Sequence, residues 1–293
     1  MAKRKIIDAH HHLWDPARRA YPWMDQRLAP FQRRFGLEDL DAAAGPHGIG
    51  QTVVVQTVAS VEETKEFLAV AGAGGRVAGV VGWVDLTAAD VADAVAALQT
   101  APGGETLVGV RHQVHDEPDP AWLLRPEVLR GLAAIADAGL VYDLLVRERE
   151  LPAARAVAER LPQFGFVLDH LGKPRIREAQ LEPWATELRA LARLPNVTCK
   201  VSGLVTEADW DTWTPQQLVR SVAAAADAFG PDRLLFGSDW PVCLLAADYT
   251  EVVAAAEQAL EAVGLTTAER ELVFGANARR VYRLPEPTDD DGG

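Results

Sequence analysis

A single-domain α/β fold, a (β/α)8 barrel of the TIM type, is what this 293-residue sequence predicts. Three observations predict it. Eight short apolar runs rich in β-branched residues recur along the chain, their starts roughly 25 to 45 residues apart. Helix-patterned stretches fill the gaps between them. No Gly-rich phosphate loop, neither G-x-G-x-x-G nor G-x-x-x-x-G-K-[ST], occurs to favour the rival doubly wound sheet. Near-continuous apolar strands are what a parallel sheet covered on both faces requires, and eight of them alternating with about eight helices is the arithmetic of the barrel.

The strand-forming runs are KIIDAH (5–10), QTVVVQT (51–57), VAGVVGWV (77–84) and LVGVRHQV (107–114) in the first half. VYDLLV (141–146), FVLDHL (166–171), VTCKVSG (197–203) and LLFGSDW (234–240) follow in the second. Between the first two runs, Leu13 to Gly50 is a long connection carrying Trp14, Tyr21, Trp23, Phe31 and Phe35. Aromatics at that density do not make a linker, so this segment is expected to cover the barrel or cap one end. The helix expected over 60–73 opens with the capping box Ser60-x-x-Glu63 and ends in glycines. An alanine-rich helix is predicted over 89–98, and another over 126–138, closed by Gly139. Further helices are expected near 151–160, 179–194, 215–228 and 250–263, and a last one over 267–282 behind a second box, Thr266-x-x-Glu269. The predicted organisation is one barrel over 1–285 with an inserted segment at 13–50, and a disordered acidic tail, EPTDDDGG, over 286–293.

Composition narrows the function. The chain is 48% hydrophobic and 24% charged, which does not fit a disordered segment. Its formal charge of −13 leaves nucleic acid an unexpected partner, because clustered Lys and Arg are needed to neutralise phosphates. Two cysteines cannot build a disulfide scaffold; Cys199 and Cys243 lack a CxxC partner and read as small buried hydrophobes. The basic start MAKRK leads into Asp8 and three histidines rather than a signal-peptide core, and no apolar run approaches a membrane span. A soluble, cytoplasmic protein without a membrane partner is the expectation, with homo-oligomerisation left open.

In a barrel of this kind the active site lies at the C-terminal ends of the strands. At those ends stand His10 and His12, Thr57, Trp83 and Asp85, Arg111, His112 and His115, Asp143, His170, Lys200 and Ser202, and Asp239. Aliphatic packing does not explain so many charged and imidazole groups, since such residues are seldom buried unless paired. Five of the seven histidines fall there, with His11 a neighbour and His47 elsewhere.

Alternate residues of a strand share a face, so Asp8, His10 and His12 are expected on one side with His11 turned away. Two imidazoles at that spacing can ligand one metal ion. Asp239, on the eighth strand before Trp240-Pro241, can hold a metal-bound water or take its proton. His170 can ligand a metal or donate to a substrate oxygen, whereas Asp169 has the opposite parity and is expected to face the helices. Arg111, His112 and Lys200 are cationic or donor groups able to bind a carboxylate or polarise a carbonyl, and structural ion pairing is an equal reading of them. Trp83, Tyr142, Trp240 and Trp14 offer flat apolar walls for a ring, or plain core packing. No G-x-S-x-G elbow supports a serine hydrolase.

At these residues the sequence resembles the amidohydrolase superfamily, and within it the amidohydrolase-related branch that holds sugar lactonases of the L-fuconolactonase and L-rhamnonolactonase kind. The stretches that carry the likeness are IDAHHHLWDP, GVRHQVHDEPDPAWL, FVLDHLGKP, NVTCKVSGL, LLFGSDWPV and FGANARRVYRL, spread from Ile7 to Leu284. The resemblance implies a hydrolytic barrel whose metal ligands are His10, His12, His170 and Asp239. Binuclear relatives have a carboxylated lysine on the fourth strand; here His112 stands in that run, Asp143 in the fifth and Lys200 in the seventh, so a binuclear site is not expected. One divalent ion, zinc first, or metal-free catalysis is what the branch implies. The expected reaction is opening of a small lactone, most of all a sugar-derived aldonolactone. Asp239 would be the general base, with His10, His12 and His170 catalytic and Arg111, His112, Lys200, Trp83, Tyr142 and Trp240 around the substrate. The alternative is a metal-dependent decarboxylase, which needs an arginine at one substrate carboxylate. A non-catalytic binding barrel is the third reading.

Overall fold

The computed structural model describes residues 6–24, 28 and 31–286; nearly all of the expected acidic tail lies outside them. Eight parallel strands follow one another in chain order around the sheet. They are β1 (Ile6–His11), β2 (Ile49–Val55), β3 (Val77–Gly82), β4 (Leu107–His112), β5 (Val141–Leu144), β6 (Phe166–Leu168), β7 (Val197–Val201) and β8 (Leu234–Phe236). The chain is a single (β/α)8 barrel. Parallel ladders join each strand to the next, with register shifts in the first three, but β8 meets β1 differently. The closure there is a parallel bridge between His11 and Trp240, past the end of β8. His12 N donates to Trp240 O at 2.7 Å and Asp239 N to His10 O at 2.8 Å.

Alternation along the strands separates two cores. Ile7, Ala9, Val53, Val55, Val81, Val167 and Leu235 pack together inside the barrel. Ile6, Val54, Val80, Val110, Tyr142, Phe166, Leu234 and Phe236 belong to the larger core beneath the helices. The helices are α1 (Leu37–Ala44), α2 (Val61–Gly72), α3 (Val91–Gln99), α4 (Pro126–Asp137), α5 (Leu151–Arg160), α6 (Trp184–Ala192), α7 (Pro215–Phe229), α8 (Tyr249–Ala262), α9 (Thr267–Glu271) and α10 (Asn277–Tyr282). The chain beyond α10 closes the N-terminal end of the barrel, where Gln51 Nε2 donates to Pro285 O at 2.9 Å. Among the described residues no helix is long and apolar enough to cross a membrane.

Several element ends differ from expectation for identifiable reasons. The apolar runs overshoot the strands at their C-terminal ends, because hydrophobic composition continues where ladder bonding has stopped. Ser60 Oγ caps α2 by accepting from Glu63 N at 3.2 Å, but the Glu63 carboxylate turns away. It accepts instead from Thr57 N at 2.8 Å and Val58 N at 3.2 Å, so half of the expected box forms. The Thr266–Glu269 box is complete. Helix α6 starts only behind Pro183, and a π-helical turn at Leu272–Ala276 divides α9 from α10. Within 13–50 the structure adds α1, which sequence reading left as connection. The aromatics of that segment gather around Trp14, which lies 5.2 Å from Phe35 and 5.3 Å from Trp23 by ring centroid. Phe35 in turn meets Trp240 edge-on at 5.6 Å, so the segment packs over the β1–β8 closure. Both cysteines are buried and unpaired.

Candidate active site and metal centre

Three imidazoles and one carboxylate converge at that closure. The Asp239 Oδ1 atom lies 3.4 Å from His12 Nε2, 3.7 Å from His10 Nε2 and 3.8 Å from His170 Nε2. His10 and His12 bring their Nε2 atoms within 3.3 Å of each other. In each ring the other nitrogen is occupied. His12 Nδ1 donates to Val55 O at 2.8 Å, which forces its proton to that side because a carbonyl only accepts. His170 Nδ1 pairs with Ser202 Oγ at 2.9 Å. His10 Nδ1 lies 3.2 Å from Asp169 Oδ1, and Arg111 Nη1, a donor, lies 3.3 Å from His10 Nε2. Lys200 Nζ, also a donor, lies 3.2 Å from His10 Nδ1, so His10 is held from both sides by the charged groups around it. At His12 and His170 the outer partners are of the kind that orient ligand histidines with Nε2 toward a cation. The donor chemistry therefore fits a divalent metal ion, with ligand atoms of His10, His170 and Asp239 all within 4.8 Å of one another and His12 alongside.

The backbone takes unusual routes to reach this arrangement. Register shifts interrupt β1 between Asp8 and His11, so His10 and His12 share the expected face with His11 turned to Thr52, but Asp8 leaves it. Asp8 instead accepts from Ser238 N at 2.8 Å, Ser238 Oγ at 2.6 Å and Tyr249 Oη of α8 at 2.8 Å. His170 and Asp239 have φ values of 53° and 57°, a left-handed region that non-glycine residues occupy only when the surroundings hold them there. Two glycines make room. A Cβ on Gly203 would sit 2.5 Å from His170 Nδ1, and one on Gly237 would sit 2.6 Å from His10 Cβ.

Beneath the imidazoles lies a buried ionic layer. Lys200 Nζ pairs with Asp143 Oδ2 at 2.5 Å and Asp169 Oδ1 at 2.9 Å, and Arg111 Nη1 with Asp169 Oδ2 at 3.0 Å. Asp169 thus faces the barrel interior, against expectation. The strand ends at Leu168, and the tight turn Asp169–Gly172 breaks the alternation from which its parity was read. Two cations, Lys200 and Arg111, thus stand against three carboxylates, Asp143, Asp169 and Asp239. Burial lowers the basicity of His10, and that of His170 to about 4, favouring neutral imidazoles. Burial would raise the Asp239 carboxyl, but His170, His12 and His10 outweigh it and hold the group well below the usual carboxylate range. For Asp169 the same contest is won by Lys200 and His10, whereas burial pushes Asp143 up to about 6.

The sequence profile of the Amidohydrolase family matches residues 7–284. This chain belongs to that family. Among amidohydrolase relatives, an L-fucono-1,5-lactonase of Burkholderia multivorans is 42% identical over 97% of each chain. An L-fucono-1,5-lactonase of Burkholderia ambifaria is 39% identical, again over 97% of each chain. A solved Burkholderia multivorans amidohydrolase with zinc bound is 41% identical, with a TM-score of 0.91 over 96% of this chain and all of that one.

The remaining predicted residues of this amidohydrolase divide by location. Arg111 and Lys200 belong to the ionic layer: Arg111 Nε donates to Gln56 Oε1 at 2.9 Å, its Nη2 to Gln56 O, and Lys200 is wholly buried. Tyr142 is wholly buried too and points at the helical layer, 6.4 Å from the Phe166 ring. Trp240 is packed on Phe35. Trp83, just beyond β3, and His112, the last residue of β4, stay partly exposed and are joined by a hydrogen bond. Thr57 serves Glu63, Asp85 caps its own loop by accepting from Thr87 N at 2.9 Å, and His115 pairs with Asp116. Sequence reading missed Asp169, Gln56 and Glu117 as partners in this region. Asp169 was discoverable, since a carboxylate beside His170 must be paired if buried; Gln56 and Glu117 give no local signal.

Proposed function

We propose that this chain opens a small lactone by hydrolysis, most of all a sugar-derived aldonolactone such as L-fucono-1,5-lactone. The observation that carries the reading is Asp239, a buried carboxylate set among three Nε2 atoms whose other ring nitrogens are engaged. The likeness to two lactonases over nearly the whole chain supports the substrate class.

In this reading Asp239 accepts a proton from the attacking water. The water oxygen bonds to the ester carbon and the ring C–O bond breaks. Asp239 then returns the proton to the departing alkoxide, leaving a hydroxy acid. His170, steadied by Ser202, positions the water, and His12, its proton committed to Val55 O, presents an Nε2 lone pair suited to a metal ion rather than to the carbonyl oxygen. Arg111 and Lys200 act from below by fixing His10 rather than by touching substrate. His10, His12, His170 and Asp239 would hold one divalent ion, with zinc the first candidate. When bound, such an ion supplies Lewis acidity toward the ester carbonyl. Trp83 and His112 are the predicted substrate contacts that this arrangement leaves at the mouth.

The decarboxylase alternative needs an arginine free to clamp a carboxylate, and Arg111 is already bound by Asp169 and Gln56. A cytoplasmic setting without nucleic-acid or membrane partners fits the −13 charge, and self-association remains compatible with it. The test is a pH-indicator screen of aldonolactones run with and without chelator, beside a CO₂ assay on aromatic acids. Acid release above the spontaneous rate supports the reading. Silence on every lactone with CO₂ release would replace it.

A further inference from the structure

Glu117 follows the turn Val114–Asp116 beyond β4 and has no role in the centre described above. Its Oε1 lies 2.8 Å from His112 Nε2. On the other side of the same ring, Trp83 Nε1 lies 3.1 Å from His112 Nδ1. An indole N–H can only donate, so His112 Nδ1 accepts and Nε2 carries the proton toward Glu117. The His112 ring is also stacked on the buried Trp122, with centroids 4.3 Å apart and planes 11° from parallel. Both nitrogens and one face of His112 are thereby used up. The loop that presents Glu117 is tied down as well: Arg149 Nη2 donates to Glu117 O at 2.6 Å, and His115 N to Leu145 O at 3.2 Å. What this construction leaves unspent is Glu117 Oε2, which has no hydrogen-bond partner among the described residues, on a side chain 26% exposed.

We propose that Glu117 is a specificity-determining residue, its Oε1 anchored by His112 and its Oε2 accepting a hydrogen bond from a ring hydroxyl of the substrate. The inference rests on the lactonase reading and deepens it. The barrel opens its site at the strand ends, and Trp83 and His112 stand at those of β3 and β4. A carboxylate held by one oxygen is a preorganised acceptor, selecting a polyhydroxylated ring over a bare one.

Steady-state kinetics of the wild type, Glu117→Gln and Glu117→Leu on a polyhydroxylated aldonolactone and on unsubstituted δ-valerolactone test this. Gln keeps an oxygen for His112 but presents an NH₂ donor in place of Oε2. Glu117→Gln should raise KM for the hydroxylated ring about 10- to 100-fold, the worth of a hydrogen bond to a charged group, and leave δ-valerolactone unchanged. Unaltered tryptophan fluorescence would show that the Trp83–His112 pair persists in Glu117→Gln. Equal loss on both lactones, or none on the hydroxylated one, overturns the inference. Calorimetric binding of a hydroxylated lactam, which resists hydrolysis, separates the two claims. Lactam binding that weakens in Glu117→Gln, in a protein that opens no lactone, would sink the lactonase reading and uphold Glu117. Lactam affinity equal in both proteins, or absent from the wild type, overturns the role of Glu117.

Discussion

At the scale of single residues, this site is arranged by pairing rather than by exposure. Lys200 is the clearest case, a wholly buried ammonium whose charge is met by Asp143 and Asp169. Tyr282 Oη adds a donor to Asp143 at 2.9 Å, so the layer is closed from below. Removing one partner of a buried ion pair strands the other charges at a cost of about 3–5 kcal/mol. Lys200→Met should therefore lower unfolding free energy by about that much in urea titration. A change within about 0.5 kcal/mol, typical of a surface site, would show that the layer is not coupled to stability. Such pairing is invisible in sequence. A lysine at a strand end looks equally suited to substrate or to structure until the two aspartates are placed around it.

At the scale of elements, the closure of the barrel and the site are the same feature. β8 ends at Phe236, and the bonds that join it to β1 are made by Asp239, Trp240 and the histidines' own backbone. Gly237 permits this approach, its missing Cβ lying where His10 Cβ comes within 2.6 Å. Gly237→Ala should cost about 1–3 kcal/mol of stability by overpacking and should also lower turnover, measured by urea unfolding and by lactone assay on one preparation. An unchanged protein would show that the seam tolerates separation. The capping of α2 is a smaller test: Ser60→Ala should cost about 1 kcal/mol. The strand runs, the capped helix starts at Ser60 and Thr266 and the strand-end location of His10, His12, His170 and Asp239 were legible in the sequence because period and capping are local. The parities of Asp8 and Asp169 were not. A register shift in β1 and the turn at Asp169–Gly172 each reverse the alternation on which the expectation depended. Helix α1 was hidden among aromatics whose packing, rather than their period, orders that segment.

At the scale of the whole molecule, an acidic barrel encloses an interior with more carboxylates than cations, Asp239 among those matched by neither Lys200 nor Arg111. A divalent cation fits that surplus. Ligand bound only to the folded state stabilises it, by about 2.7 kcal/mol at a hundredfold excess over Kd. Zinc added to chelator-stripped protein should therefore raise the melting temperature, and His170→Asn should abolish that shift without unfolding the barrel. A zinc-induced shift retained in His170→Asn would place the metal elsewhere. The central claim, that Asp239 drives lactone hydrolysis at this centre, is tested most directly by acid release from an aldonolactone by wild type and Asp239→Asn at equal concentration. Opening well above the spontaneous rate is expected for the wild type and at least a 100-fold lower rate for the variant, the loss typical of a missing general base. Asp239→Asn as active as the wild type would contradict it.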